Sequence, residues 1–182
     1  MAIKTFTTGA VLTASDTNTF LANSGTVYVA GGTFTNVAAF NVTGFASTYQ
    51  TYVLQLRGTA AAASGVLGTL YNGATARNSL YYGGGVYGNY VGGTGSEYAN
   101  NNTTFFTLGI WNNLYQGNVT LTIFRVASTQ PTWNLQGFDS NGFNGYAGGG
   151  FRNSTDAWDT ISVSGATNNL TGTWRLYGYR EP

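Results

Sequence analysis

From Thr26 onward, short runs of alternating apolar and polar residues are separated by clusters of glycine and asparagine. The clearest run is Asn118–Ala127, in which Val119, Leu121 and Ile123 would share one face of a strand. Similar runs occur at Thr26–Ala30, Val37–Val42, Tyr52–Leu56, Val66–Tyr71, Thr103–Trp111, Thr132–Leu135, Trp158–Val163 and Thr171–Tyr179. Many short strands separated in this way predict an all-β protein, an antiparallel β-sandwich of jelly-roll type.

Glycine and asparagine clusters lie between these runs, and such residues readily adopt the positive φ angles that many turns require. We predict turns at Gly31–Gly32, Gly83–Gly85, Gly92–Gly93, Asn100–Asn102, Asp139–Gly142 and Gly148–Gly150. The zones Tyr81–Tyr98 and Phe138–Phe151 alternate aromatic residues with glycines and are long for hairpin loops. Each zone is either a strand weakened by glycine or an exposed aromatic loop, and both alternatives stay open at this point.

The segment that precedes the first run carries the pattern of one short N-terminal helix. Thr13 is placed to cap its start, and Asp16 three residues later forms a capping-box-like pair with it. Asn23 and Gly25 supply a stop signal. The apolar side of this helix consists of Leu12, Phe20 and Leu21.

A helix of about ten residues is marginal by itself in water, so this one needs a surface on which to dock. The three apolar residues just named are therefore the candidate docking residues. We divide the chain into an N-terminal docking segment, residues 1–25, and a β-sandwich body, residues 26–182.

Charged residues make up 7% of the chain, which has no histidine, no cysteine and a net charge of +1. Disulfides, thiolate catalysis and most structural zinc sites are therefore excluded. Such a small net charge predicts no binding to nucleic acid, and no apolar stretch is long enough for membrane insertion. The N-terminus lacks a signal peptide, so we expect export by lysis or within a particle. We expect no cofactor and no metal.

The few carboxylates offer two candidate sites. Asp156 and Asp159 flank Trp158, which would place acids beside an aromatic platform for a sugar; a solvated turn is the alternative that we favour. The segment Asp139–Gly142 has oxygen donors in the spacing of a calcium loop but lacks the glutamate that closes such a loop, so we interpret it as an Asx turn. Neither provides a persuasive catalytic pair, and the chain is predicted not to be an enzyme.

Aromatic residues are the best functional candidates, since the chain has 13 Tyr, 11 Phe and 4 Trp beside 27 Gly. Tyrosine and tryptophan offer large contact areas with few rotatable bonds, and asparagine and glycine add adaptable polar contacts. Such a surface suits a glycan or a partner protein; the alternative is that these aromatics line the core or a subunit interface. The candidate contact residues are Tyr81, Tyr82, Tyr87, Tyr90, Tyr98 and Trp158.

The two ends of the chain resemble structural proteins of tailed-bacteriophage virions. The N-terminal segment fits the pattern G-x-x-L-T-A-x-x-x-N-x-x-L that precedes the β body in many minor tail and fibre proteins. The residues that match it are Gly9, Leu12, Thr13, Ala14, Asn18 and Leu21. The C-terminal run from Leu170 to Arg180 is similar to the closing strand of the same small proteins.

This resemblance implies a non-enzymatic virion component, an oligomeric β-sandwich held on the particle by its N-terminal segment. By family analogy the oligomer is a homotrimer, and its other partners are capsid or tail proteins. The protein would be made in the bacterial cytoplasm and would reside on the virion surface.

The sequence shows no coiled coil or shaft between the docking segment and the body. This favours a squat knob, of the capsid-decoration, cement or head-fibre type. A tail-fibre or receptor-binding adhesin that contacts host surface glycans is the first alternative. A carbohydrate-binding or depolymerising domain is the second.

Overall fold

The computed structural model describes residues 25–45, 49–89, 95–124, 130–139 and 144–179. Within these ranges the chain is all-β, with no helix and therefore none that could cross a membrane. The strands are β1 (Thr26–Val37), β2 (Ala39–Thr43), β3 (Thr51–Ala60), β4 (Ser64–Asn72), β5 (Thr75–Ala76), β6 (Tyr81–Asn89), β7 (Gly95–Thr103), β8 (Phe106–Trp111), β9 (Gly117–Phe124), β10 (Thr132–Asp139), β11 (Asn144–Arg152), β12 (Thr160–Gly165) and β13 (Leu170–Tyr179).

The strands form two antiparallel sheets, which confirms the predicted all-β class. The larger sheet has eight strands in the order β1-β13-β3-β9-β10-β11-β6-β7. The smaller has five, in the order β2-β12-β4-β5, with β8 also paired to β4. The predicted N-terminal helix, with its docking residues Leu12, Phe20 and Leu21, lies outside the described residues.

The core lies between the two sheets and follows directly from the alternation in the sequence. In β9, Val119, Leu121 and Ile123 are buried while Asn118 and Thr120 are exposed. The inward-facing leucines of four neighbouring strands stand side by side in one row, Leu176, Leu54, Leu121 and Leu135. From the smaller sheet, fully buried residues of β4, β8 and β12 complete the core: Val66, Leu108, Trp111, Ile161 and Val163.

Large aromatic side chains lie against glycines of neighbouring strands. Gly58 and Gly117 are directly paired, and a Cβ at either position would collide with the Trp111 indole. In the same way, a Cβ at Gly68 would collide with the Phe106 ring. At these positions glycine and a large ring occur together for one physical reason, because the ring occupies the volume that a neighbouring side chain would need.

Four of the predicted turns are wrong, among them Asn100–Asn102, which lies inside β7. Gly83–Gly85 and Gly148–Gly150 lie inside β6 and β11, where they pair with each other residue by residue. Gly31–Gly32 lies inside β1. The two zones left open, Tyr81–Tyr98 and Phe138–Phe151, thus contain strands. Both β6 and β11 are paired on two sides, and this pairing stabilises the extended conformation of their glycines.

Candidate functional site

Tyr81 was predicted to contact a ligand, and this prediction is wrong. The side chain is 0% exposed and packs against Phe106 and Trp133 in the core. Its hydroxyl oxygen accepts a hydrogen bond from the backbone N–H of Leu70 at 2.8 Å. Burial raises the pKa of Tyr81 to about 12. A residue enclosed in this way positions β6 against β4 and offers no face to a ligand.

The platform of acids beside Trp158 does not form. Trp158 is only 4% exposed and packs on Phe45, with 5.1 Å between ring centroids. Asp156 accepts from the buried Arg152 guanidinium at 3.0 Å, and Asp159 accepts from the backbone N–H of Gly73. The prediction for Trp158 is therefore corrected, because its ring belongs to the core.

The remaining predicted contact residues divide between the two faces of the larger sheet. Tyr87 points inward and is partly buried against the core. Tyr82 points outward and stacks on Phe151, with ring centroids 5.4 Å apart and an interplanar angle of 16°. Tyr90 and the side chain of Tyr98 lie outside the described part of the structure. Tyr82 alone therefore leads to a candidate surface, the outer face of the eight-stranded sheet.

Aromatic side chains line up across this outer face. Strand register places Tyr179, Phe124, Phe151 and Tyr82 in one line, with threonines of β3 and β10 between them. We call these four residues the aromatic row. Phe124, Phe151 and Tyr179 are 37–39% exposed, which is high for such large apolar groups. Tyr28 and Tyr177, an edge-to-face pair at 5.9 Å, lie beside the row on β1 and β13.

A polar groove lies on the same face, separated from the aromatic row by one row of outward-facing side chains. It consists of two depressions of about 580 and 370 Å³, which share Asn118 and Thr120 as lining residues. Uncharged hydrogen-bonding side chains from β3, β9, β10 and β13 line it: Gln55, Asn118, Thr120, Gln136 and Thr173. Phe138 adds an aromatic wall.

The larger depression of the groove exists because side chains are missing from part of the outer face. Gly145 and Gly88 are paired neighbours on β11 and β6, and a Cβ at either would meet no atom within 4 Å. The next outward position on β11 is Ala147, which is also small. The outer surface of the sheet is therefore recessed here, between the side chains of Phe138 and Val86.

The groove carries positive charge at one end. Arg57 and Arg175 line the depression near β13, and both side chains are exposed. The Nε of Arg57 donates to Oε1 of Gln116 at 2.6 Å, which fixes the direction of the guanidinium. None of the lining residues that the structure describes is acidic. Glu97 lies beyond Val86 on the edge strand β7, at the end away from the arginines.

Sequence reasoning missed most of this face. The alternation in β9 and β13 already places Phe124, Tyr177 and Tyr179 opposite the buried set, and that signal was available. The row itself depends on strand order, which residue patterns do not reveal. Among the described residues there is no group of three or more Asp or Glu side chains placed to hold a metal ion.

Comparison with protein-family models and with curated proteins finds no match for this chain.

Proposed function

We propose that this chain is a non-enzymatic structural protein of a bacteriophage virion, a knob docked on the particle surface by its N-terminal segment. The observation that carries the proposal is the aromatic row on the outer face of the larger sheet. Four large rings in line, three of them more than a third exposed, form an apolar surface suited to burial against another protein. The terminal patterns that resemble virion proteins supply the particle context.

In this proposal the body is a sandwich of jelly-roll type that assembles as a homotrimer. The first four strands alternate between the sheets, β1 and β3 in the larger and β2 and β4 in the smaller. Such connections between sheets are frequent in sandwich folds. Each subunit would bury its aromatic row against a neighbour, and the assembled knob would bridge capsid subunits as a decoration or cement protein.

The oligomer is tested by light scattering coupled to size-exclusion chromatography. We expect a trimer for the full chain and a smaller species for Phe124→Ser combined with Phe151→Ser. Leu114→Ser is the matched control, because Leu114 is 73% exposed and lies on the loop between β8 and β9, outside the row. A monomeric full chain, or a trimer that the double variant does not weaken, would contradict this interface.

The particle assignment is tested by immunogold electron microscopy of phage particles purified from lysates of the bacterium that produces the chain. Label on the head supports decoration, and label confined to the tail supports the fibre alternative. Particles without label would contradict the virion proposal. Deleting residues 1–25 is expected to leave a folded β body that no longer joins the particle.

The polar groove favours a second candidate function, that of an adhesin which contacts host surface glycans. Amide and hydroxyl side chains around a depression can satisfy the hydroxyl groups of a sugar, which an apolar subunit interface does not require. Adsorption of particles to host cells tests this function. Antibody fragments directed at the outer face are expected to block adsorption, and unchanged adsorption would contradict it.

A further inference from the structure

We propose that the polar groove binds an acidic oligosaccharide, with a carboxylate or other anionic group of the sugar at the end formed by Arg57 and Arg175. This proposal deepens the second candidate function and rests on it for its biological setting. It does not depend on where the chain sits on a particle.

The uncharged lining of the groove matches the chemistry of sugar hydroxyls. An amide side chain has both donors and an acceptor, so Gln55, Asn118 and Gln136 can each engage a hydroxyl in either role. Thr120 and Thr173 add hydroxyls of their own. Phe138 provides a flat apolar wall against which the C–H face of a sugar ring can pack.

The dimensions of the groove indicate an oligosaccharide. Its lining residues come from β13, β3, β9, β10, β11 and β6, six consecutive strands of the larger sheet. Neighbouring strands lie about 4.8 Å apart, so the groove spans roughly 24 Å. A single sugar ring would fill only part of that length, and the missing side chains at Gly88 and Gly145 leave the far end open.

The charges give the groove a direction and favour an anionic ligand. Arg57 and Arg175 form one end, and the contact with Gln116 involves Nε of Arg57. Guanidinium groups bind carboxylates through charge-assisted hydrogen bonds, which are about twice as strong as neutral ones. Glu97 beyond the opposite end would repel an anionic group there. The acidic sugar unit therefore belongs beside β13.

The first test uses purified full-length protein and two acidic probes, oligogalacturonate and oligosialic acid. Each probe is compared with its carboxyl-reduced counterpart by isothermal titration calorimetry at low salt. We expect at least one acidic probe to bind about tenfold more tightly than its reduced form, because one charge-assisted contact is lost. Equal binding of both forms would overturn the anionic assignment, and no binding of either acidic probe would overturn the site.

Two kinds of variant locate the binding in the groove. Gln136→Glu places a negative charge in the lining with little change of shape, and it should weaken the acidic probe about tenfold. Gln50→Glu is the matched control, because Gln50 is exposed and is not among the lining residues. Gly145→Val fills the open depression and should abolish binding while the thermal midpoint stays equal or rises.

A third probe, single-stranded oligothymidylate, separates a sugar site from a general anion site. Binding of this probe as tight as that of the acidic sugar, and equally sensitive to Gln136→Glu, would overturn the oligosaccharide assignment. Failure of the sugar-binding proposal is distinguishable from failure of the virion proposal, because immunogold labelling of particles does not depend on any sugar. Labelled particles with no sugar binding refute only this inference.

Discussion

Two regions of the larger sheet differ in the residues that occupy the same inward-facing row. On β13, β3, β9 and β10 the row consists of leucine at every position, and on β11 and β6 it consists of glycine: Leu176, Leu54, Leu121, Leu135, Gly148 and Gly85. The backbone pairing continues without a break from the leucine region to the glycine region. A continuous antiparallel sheet therefore does not require alternation of side chains along every strand.

Beside this row, rings from neighbouring strands occupy the space next to two other inward-facing glycines. Trp133 of β10 lies beside Gly150, where a Cβ would come within 3.0 Å of Cζ2 of the indole. Tyr146 of β11 covers Gly137, and its hydroxyl donates to the backbone oxygen of Asn118 at 3.1 Å. The leucine region is held by apolar burial, whereas the glycine region combines backbone pairing with a few large rings.

The largest effect is expected in the leucine region. Leu121→Ala removes a fully buried side chain from the middle of the row and should lower the free energy of unfolding by about 2–5 kcal/mol. Urea unfolding followed by tryptophan fluorescence measures it. Thr120→Ala, one residue earlier and facing outward, is the control and should change stability by less than about 0.5 kcal/mol. Equal losses would contradict the assignment of the two faces.

The glycine region is tested by two identical substitutions in one strand, β11. At Gly150 a Cβ would collide with the backbone oxygen of Tyr82 and lie 2.9 Å from Cα of Gly83, so Gly150→Ala should cost about 1–3 kcal/mol. At Gly145 a Cβ meets nothing within 4 Å, so Gly145→Ala should stabilise by about 0.5–1 kcal/mol. Effects of the same sign would show that close approach does not explain the glycines of β11.

The same contrast explains how much of the fold was predictable. In β3, β9 and β13 the residues alternate between apolar and polar, so the strands and their buried faces could be predicted from residue type alone. In β6 and β11 the glycines carry no such signal, and their strand conformation depends on neighbours far along the chain. The interpretation of Gly83–Gly85 as a turn failed because glycine suits both a turn and a crowded strand.

The sequence predicted the residue types of the candidate site but not which residues of those types lie on the outer face. Aromatic and amide residues were expected to form the contact surface, and such residues line the outer face that we propose as the site. Tyr81 and Tyr82 are adjacent in sequence and point to opposite faces, so only register decides which one is exposed. Tyr81 faces the core, and the sequence run around it gives no alternation that would reveal this.

A smaller effect is expected where a ring covers glycine. Tyr146→Phe keeps the ring over Gly137 and removes the hydroxyl that donates to Asn118, so stability should fall by about 0.5–1.5 kcal/mol. Tyr177→Phe on the outer face is the control and should have a smaller effect. Chemical unfolding of the three proteins under identical conditions measures the differences. A loss at Tyr146 no larger than at Tyr177 would show that the hydrogen bond from the Tyr146 hydroxyl does not stabilise the fold.

The smallest effect concerns the ion pair at the end of the glycine region. Arg152 closes β11 and is buried, while Asp156, its partner, is about half exposed. The hydrogen bond with the Ser154 side chain, followed by that from Arg152, lowers the pKa of Asp156. A lowered pKa in the folded state means that Asp156 stabilises the fold above its unfolded pKa of about 3.9, and that this contribution is lost as the pH falls through the lower folded value.

Asp156→Asn should therefore be less stable than wild type at pH 7, and the difference should shrink below about pH 4. Thermal unfolding of both proteins between pH 7 and pH 2.5 measures it. A difference that stays constant over this range would mean that Asp156 contributes through hydrogen-bond geometry alone, and that the glycine region needs no charge at its end.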